Sequence, residues 1–145
     1  MVDIHGMIER IEDFASRRSW AVVGASRDPN KYGHRVFAAL LRAGYEVYGV
    51  NPNATELLGQ PIYPTLADLP AKPEVVCVVV PPEVTEDIVR QCAELGLTRV
   101  WLQPGSESAT AVRLCHENGI AVVWDVCIIG YRRRWPQASQ AASSG

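Results

Sequence analysis

The chain has 145 residues, 48% of them hydrophobic and 21% charged, and 14 basic residues against 16 acidic ones leave a formal net charge of -2. That length holds one core of ordinary size, and the near-neutral balance gives no reason to expect nucleic acid or an anionic membrane as a partner. Apolar runs such as Val75 to Val80 are far shorter than the roughly 20 residues that span a bilayer, and no basic stretch followed by an apolar core opens the chain; a cytoplasmic location is the expectation.

Met7, Ile8, Ile11, Phe14 and Ala15 recur at spacings of three and four, which predicts an amphipathic helix over 6–16 covering one side of a sheet. A first strand is expected from Trp20 to Ala25. It breaks at Gly24, and the chain runs through Ser26, Arg27, Asp28, Pro29, Asn30 and Lys31. Val36, Phe37, Leu40, Leu41 and Ala43 then trace a helical stripe that ends at Gly44. Strand, small polar turn and helix N-terminus, in that order, suit a phosphate. Gly24, Ala25 and Ser26 let the backbone approach an anion closely, and Arg27 and Lys31 add positive charge beside it. A tight strand-to-helix turn without a ligand is the plainer reading of the same residues.

Ala43-Gly44-Tyr45, Leu95-Gly96-Leu97 and Asn118-Gly119-Ile120 each end a helix on glycine and restart at once in β-rich residues, which predicts parallel strands with helical crossovers. A second strand, Glu46 to Val50, gives way to the turn Asn51-Pro52-Asn53. Gly59, Pro61, Pro64, Pro70 and Pro73 mark 54–73 as loop with one short helix near Leu66 to Leu69. The third strand, Glu74 to Val80, is apolar almost throughout, as a central strand buried on both faces requires, and stops at Pro81-Pro82. Thr85 is the expected cap of the next helix, and Ser106 of the one after the fourth strand (Arg99 to Leu102). The fifth strand, Ile120 to Trp124, leads into Asp125-Val126-Cys127. The domain is expected to span 1–135, with a disordered tail over 136–145 rich in Gln, Ala, Ser and Gly.

The expected fold is an open, doubly wound α/β sheet, mainly parallel and five-stranded, with helices on both faces. Ligands of such sheets lie outside the carboxyl ends of the strands. Those ends are Gly24 to Arg27, Asn51-Pro52-Asn53, Pro81-Pro82, Gln103-Pro104-Gly105 and Asp125 to Cys127. The dinucleotide fingerprint G-x-G-x-x-G finds glycine only at its first position, since Ser26 and Pro29 occupy the others. Asn51 stands where an acidic ribose-binding residue is usual, and G-x-x-x-x-G-K-[ST] does not occur.

The run Val22 to Pro29 with Lys31-Tyr32-Gly33, then Tyr48 to Pro52, Val78 to Pro82 and Trp101 to Gly105, resembles the stand-alone CoA-binding domain proteins of bacteria. These are similar to the N-terminal domain of the succinyl-CoA synthetase α subunit. The resemblance covers roughly Ser16 to Tyr131 and implies a Rossmann-like fold that binds coenzyme A. It also implies phosphate contacts at Gly24, Ala25, Ser26, Arg27 and Lys31, an adenosine-end contact at Val50, Asn51 and Pro52, an apolar surface at Val80, Pro81 and Pro82, and a pantetheine-side contact at Gln103 and Pro104. The synthetase's phosphorylated histidine belongs to a domain outside this resemblance, so His5, His34 and His116 inherit no catalytic role. His34 adjoins the phosphate loop, where a helix-start role and a ligand contact are both open.

Four cysteines occur without a C-x-x-C pair, so metal binding is not expected. Cys77, Cys92 and Cys115 fall at core positions. Cys127, after the last strand, is either a buried loop residue or a thiol able to form a mixed disulfide with CoA or take an acyl group, with Asp125 placed to orient a partner. Arg132-Arg133-Arg134 is a clamp for the 3′-phosphate, a contact for a protein partner or solvated surface, and Trp135 is positioned to anchor the tail. The function expected is a CoA or acyl-CoA binding module without a complete catalytic apparatus, with no nucleic acid, membrane or metal. An NAD(P)-dependent oxidoreductase and Cys127-dependent acyl or thiol chemistry are the alternatives.

Overall fold

The computed structural model describes residues 4–131; Arg132 to Trp135 and the expected tail lie outside the described residues. In chain order the elements are α1 (Ile4–Ala15), β1 (Ser19–Val23), α2 (Tyr32–Arg42), β2 (Glu46–Val50), β3 (Glu56–Leu57), β4 (Gln60–Tyr63), a 3-10 turn (Leu66–Asp68), β5 (Val75–Val78), α3 (Pro82–Leu95), β6 (Arg99–Leu102), α4 (Ala109–Glu117), β7 (Ala121–Trp124) and α5 (Ile128–Tyr131). The strands form one seven-stranded sheet in the order β3-β4-β2-β1-β5-β6-β7. Every pairing is parallel except that of β3 with β4. Numbered along the chain without β3, the parallel strands lie in the order 3-2-1-4-5-6, that of the Rossmann sheet. Strand order reverses between β1 and β5.

Alternation along the strands builds two cores. Trp20 and Val22 of β1, Val75 and Cys77 of β5 and Trp101 of β6 face α1, α2 and α5. Ala21 and Val23, Val76 and Val78, Val100 and Leu102 face α3, α4 and the 3-10 turn. Both faces of β1 and β5 are covered, so these strands are apolar residue after residue. Trp20 anchors the first core against Tyr45 and Trp101, with ring centroids 5.4 and 6.2 Å away. Cys77, Cys92 and Cys115 are all buried.

The five expected strands are β1, β2, β5, β6 and β7, and three local features differ from expectation. The hairpin β3–β4 replaces part of the expected loop, because β2 has a free outer edge that pairs with β4 through Gly49↔Ile62 and Val50↔Tyr63. The third helix begins at Pro82 with Pro81 as its cap, not at Thr85, since proline suits the first helical position. Thr85 is buried, and its hydroxyl donates to the Val80 and Pro81 carbonyls at 3.4 and 3.3 Å. The cap of α4 is Ser108, which accepts from the Ala111 amide at 3.0 Å, whereas Ser106 accepts from the Val80 amide at 3.1 Å and ties the ends of β5 and β6 together.

The β3–β4 hairpin turns on Leu58 and Gly59, whose φ of 50° and 78° are both left-handed. A two-residue connection of this kind favours Asn-Gly, and a leucine there bears steric strain while lying 50% exposed. Leu58→Asn is therefore expected to raise stability by about 0.5–1 kcal/mol, read as a higher urea midpoint; an unchanged or lower midpoint would contradict the turn assignment. No described helix is long and apolar enough to cross a membrane.

Candidate functional site

Because the six strands run parallel, their carboxyl ends share one edge of the sheet, and short backbone bonds hold those ends in register. The Gly24 amide donates to Val50 at 2.9 Å, Val79 to Val23 at 2.8 Å, Gln103 to Val78 at 3.0 Å and Asn51 to Tyr63 at 2.9 Å. Around this edge the sequence-expected residues fall into two groups.

The first group surrounds the β1–α2 loop. Gly24 has φ 99°, and a Cβ there would lie 2.2 Å from the Val79 carbonyl oxygen, so the loop starts pressed against the end of β5. Gly33, the second residue of α2, lies against the loop from the other side: a Cβ there would come within 1.9 Å of the Gly24 oxygen. Asn51 donates through Nδ2 to the Ala25 carbonyl at 2.7 Å, and His34 Nδ1 lies 2.9 Å from the Ser26 carbonyl. Within the loop the Asp28 amide donates to Ser26 Oγ at 3.1 Å and the Asn30 amide to Asp28 Oδ1 at 2.9 Å.

Among the described residues the amides of Ala25, Ser26 and Arg27 have no hydrogen-bond acceptor, although Ala25 is 0% exposed. A buried amide without an acceptor, as at Ala25, costs ~1–3 kcal/mol, and with the half-buried Ser26 and the exposed Arg27 after it the glycine turn offers three N–H groups in succession, a pattern suited to an anion. Arg27 and Lys31 are exposed, and neither joins an ion pair among the described residues. Lys31 is the N-cap of α2, whose first turn carries no acidic residue, which leaves the positive end of the helix dipole uncompensated.

The second group lies at the ends of β6 and β7. Gln103 is fully buried; its Oε1 accepts from the Tyr32 hydroxyl at 2.8 Å and the Ile128 amide at 3.0 Å, and its Nε2 donates to Cys77 Sγ at 3.3 Å. Tyr32 Oη also lies 2.7 Å from Cys127 Sγ. The phenol has one proton for two neighbours. With Cys127 as a thiol, S–H donates to Oη and the phenol donates to Gln103; with a thiolate, the phenol proton turns to sulfur. Trp101 Nε1 donates to the Val126 carbonyl at 2.9 Å and fixes the turn that presents Cys127, while Asp125 is exposed with φ 64°.

Burial pushes the Cys127 thiol up, but the Tyr32 hydroxyl, the Gly130 and Ile129 amides and the Arg35 guanidinium outweigh it and hold the thiol below its ordinary range. Burial, then the hydrogen bond with Cys127, pushes Tyr32 upward, so the phenol stays protonated as donor. Burial also pushes Cys77, Cys92 and Cys115 up to about 12. Iodoacetamide should thus label Cys127 first, with a rate midpoint below the free-thiol value of about 8.5 and a higher midpoint in Tyr32→Phe. Peptide mass spectrometry reads this directly; labelling of Cys127 no faster than of Cys92 would contradict it.

Of the remaining expected residues, Val50 is buried with its carbonyl on Gly24, Val80 and Pro82 are half-buried, and Pro52, Pro81 and Pro104 are exposed at the same edge. His116 is exposed on α4 beside Trp124, with ring centroids 6.4 Å apart. Tyr32 and Ser106 were not among the expected site residues. A hydroxyl-bearing residue at the first position of the helix after a glycine loop is the signal that points to Tyr32.

Known proteins are similar to this chain in sequence and fold. A Pyrococcus horikoshii protein of solved structure is 34% identical, with a TM-score of 0.82, covering 88% of this chain and 90% of its own. A Thermus thermophilus protein is 29% identical with a TM-score of 0.79, covering 92% of this chain and 98% of its own. Among curated proteins, YneT of Bacillus subtilis is 32% identical over 108 residues, 74% of this chain and 80% of YneT. The ADP-forming acetate–CoA ligase II of Archaeoglobus fulgidus is 32% identical over 92 residues, which span 62% of this chain and 14% of the ligase. The family model of the CoA binding domain matches residues 18–132, which takes in β1 through β7 and both groups at the sheet edge, and the chain belongs to that CoA-binding domain family.

Proposed function

We propose that the chain binds coenzyme A or an acyl-CoA across the carboxyl ends of the strands and has no complete catalytic apparatus of its own. The carrying observation is the run of amides at Ala25, Ser26 and Arg27 that have no acceptor among the described residues, set at the point of strand-order reversal beside Arg27 and Lys31, which form no ion pair among those residues. A diphosphate brings the acceptors these amides lack, and Arg27 and Lys31 oppose its charge by charge-assisted hydrogen bonds. At the end of β2 the Asn51 side chain is taken up by the Ala25 carbonyl and the Asn53 amide, and Pro52 beside it borders the adenosine end. Val80, Pro81 and Pro82 offer it an apolar wall, and the pantetheine arm runs past Pro104 toward Tyr32 and Cys127, with Gln103 holding that end in shape from inside.

The dinucleotide alternative is less well supported. An NAD ribose needs an acceptor at the end of β2, but Asn51 gives its Nδ2 to Ala25 and its Oδ1 accepts from the Asn53 amide at 2.8 Å. The Cys127 alternative draws on the lowered thiol beside Tyr32. Its thiolate would attack oxidised CoA, form Cys127–S–S–CoA and release CoA thiolate. Mass spectrometry after incubation with oxidised CoA tests that reading, and an unmodified Cys127 removes it.

Calorimetric titration of one preparation with CoA, dephospho-CoA, NAD and NADP tests the main reading. CoA is expected to bind more tightly than either nicotinamide cofactor, and a preference over dephospho-CoA would locate a 3′-phosphate contact. Tighter binding of NAD would overturn the proposal.

A further inference from the structure

The acceptor-free amides raise the question of what holds them open, since an unliganded loop of small residues can turn its peptide planes to bond with itself. A trans peptide unit is planar, and the carbonyl of one residue points opposite to the N–H of the next. Whatever grips the carbonyls of Gly24, Ala25 and Ser26 therefore aims the amides of Ala25, Ser26 and Arg27.

Each carbonyl is gripped from outside the loop. The Gly24 oxygen is packed against Gly33, where even a methyl group would come within 1.9 Å. The Ala25 oxygen accepts from Asn51 Nδ2 at 2.7 Å at the end of β2. In the sheet β2 and β5 flank β1, so a carbonyl turned to β2 sends the Ser26 amide toward β5, into the crevice where strand order reverses. The Ser26 oxygen faces His34 Nδ1 at 2.9 Å, which turns the Arg27 amide away from α2. A carbonyl oxygen brings no proton, so Nδ1 must carry it, and that contact fixes the hydrogen on Nδ1.

We infer that His34 and Asn51 are positioning residues: they touch no phosphate through their side chains but hold the loop amides toward a diphosphate before it arrives. This rests on the proposed CoA reading for the identity of the ligand and not for the geometry. Preorganisation of this kind removes an ordering cost from binding, so its loss appears in affinity for phosphate-bearing ligands and not in affinity for a bare nucleoside. It also accounts for asparagine at the end of β2, because a carboxylate there would face the Ala25 carbonyl with no proton to give.

The test measures binding of CoA, inorganic pyrophosphate and adenosine to wild type, His34→Leu, His34→Asn and Asn51→Ala, each checked by thermal melting. His34→Leu and Asn51→Ala are expected to weaken CoA and pyrophosphate by about three- to tenfold and leave adenosine unchanged. His34→Asn, whose Nδ2 branches at the same place as histidine Nδ1, should restore affinity to within about twofold. Folded variants that bind CoA and pyrophosphate as wild type does would overturn the inference, as would equal losses for adenosine or failure of His34→Asn to rescue. Wild type that binds pyrophosphate but not CoA would contradict the ligand reading and leave the positioning role standing on the pyrophosphate arm. Wild type that binds neither would overturn both.

Discussion

Gly33→Ala is expected to lower stability by ~3 kcal/mol or more, against the usual gain of about 1 kcal/mol when alanine replaces glycine within a helix. The reversal of sign follows from what the new methyl would meet. Its Cβ would lie 1.9 Å from the Gly24 oxygen, 2.9 Å from the Gly24 carbonyl carbon and 3.5 Å from the Ala25 Cα. All three are backbone atoms at the end of a central strand, and none can swing aside as a side chain would. The start of α2 would have to lift from β1, loosening Val36, Phe37 and Leu40 from the core and pulling Tyr32 and His34 off their partners. Urea unfolding measures the effect, and a loss under about 1 kcal/mol would mean that helix and strand are not in this contact.

Gln103→Leu is expected to cost ~2–4 kcal/mol. Leucine fills much of the same volume, so the loss is not a cavity effect. It leaves the Tyr32 hydroxyl and the Ile128 amide without their acceptor in the interior. The Ile128 amide is buried and has nowhere to turn, while Tyr32 can still reach Cys127. Combining Gln103→Leu with Tyr32→Phe should cost less than the sum of the two, since either change alone already breaks the Tyr32–Gln103 hydrogen bond and the second cannot break it again. Additive losses, or a Gln103→Leu protein within about 1 kcal/mol of wild type, would show that the node does not carry the ends of β6 and β7.

The five expected strands were legible because their burial is written into composition: Trp20 to Val23 and Val75 to Val78 are apolar without interruption, and β2, β6 and β7 each begin after a helix-ending glycine. The short strands β3 and β4 were not. β3 has only two residues, β4 contains Pro61, and the pairing of β4 derives from the open edge of β2, which no local pattern shows. Ser106 and Ser108 stand two residues apart and each suits a cap, and only the sheet decides that Ser106 turns inward to Val80. At the candidate site the small residues and cations of the β1–α2 loop were readable as a phosphate-binding pattern. The directions of Asn51, His34 and Gln103 were not: they point at backbone groups 26, 8 and 25 positions away, those of Asn51 and Gln103 exist only once the strands are aligned, and that of His34 only once the loop has closed onto α2.

The central claim, that the loop amides receive the ligand, is open to direct measurement with 15N-labelled protein titrated with CoA and followed by two-dimensional NMR. The amides of Ala25, Ser26 and Arg27 are expected to shift more than any others, and in step with CoA concentration, as they gain hydrogen bonds they lack without ligand. Contradiction would be a titration that shows binding while these three resonances stay in place and the shifts gather on another surface, such as the groove of Val112, His116 and Trp124 beside α4.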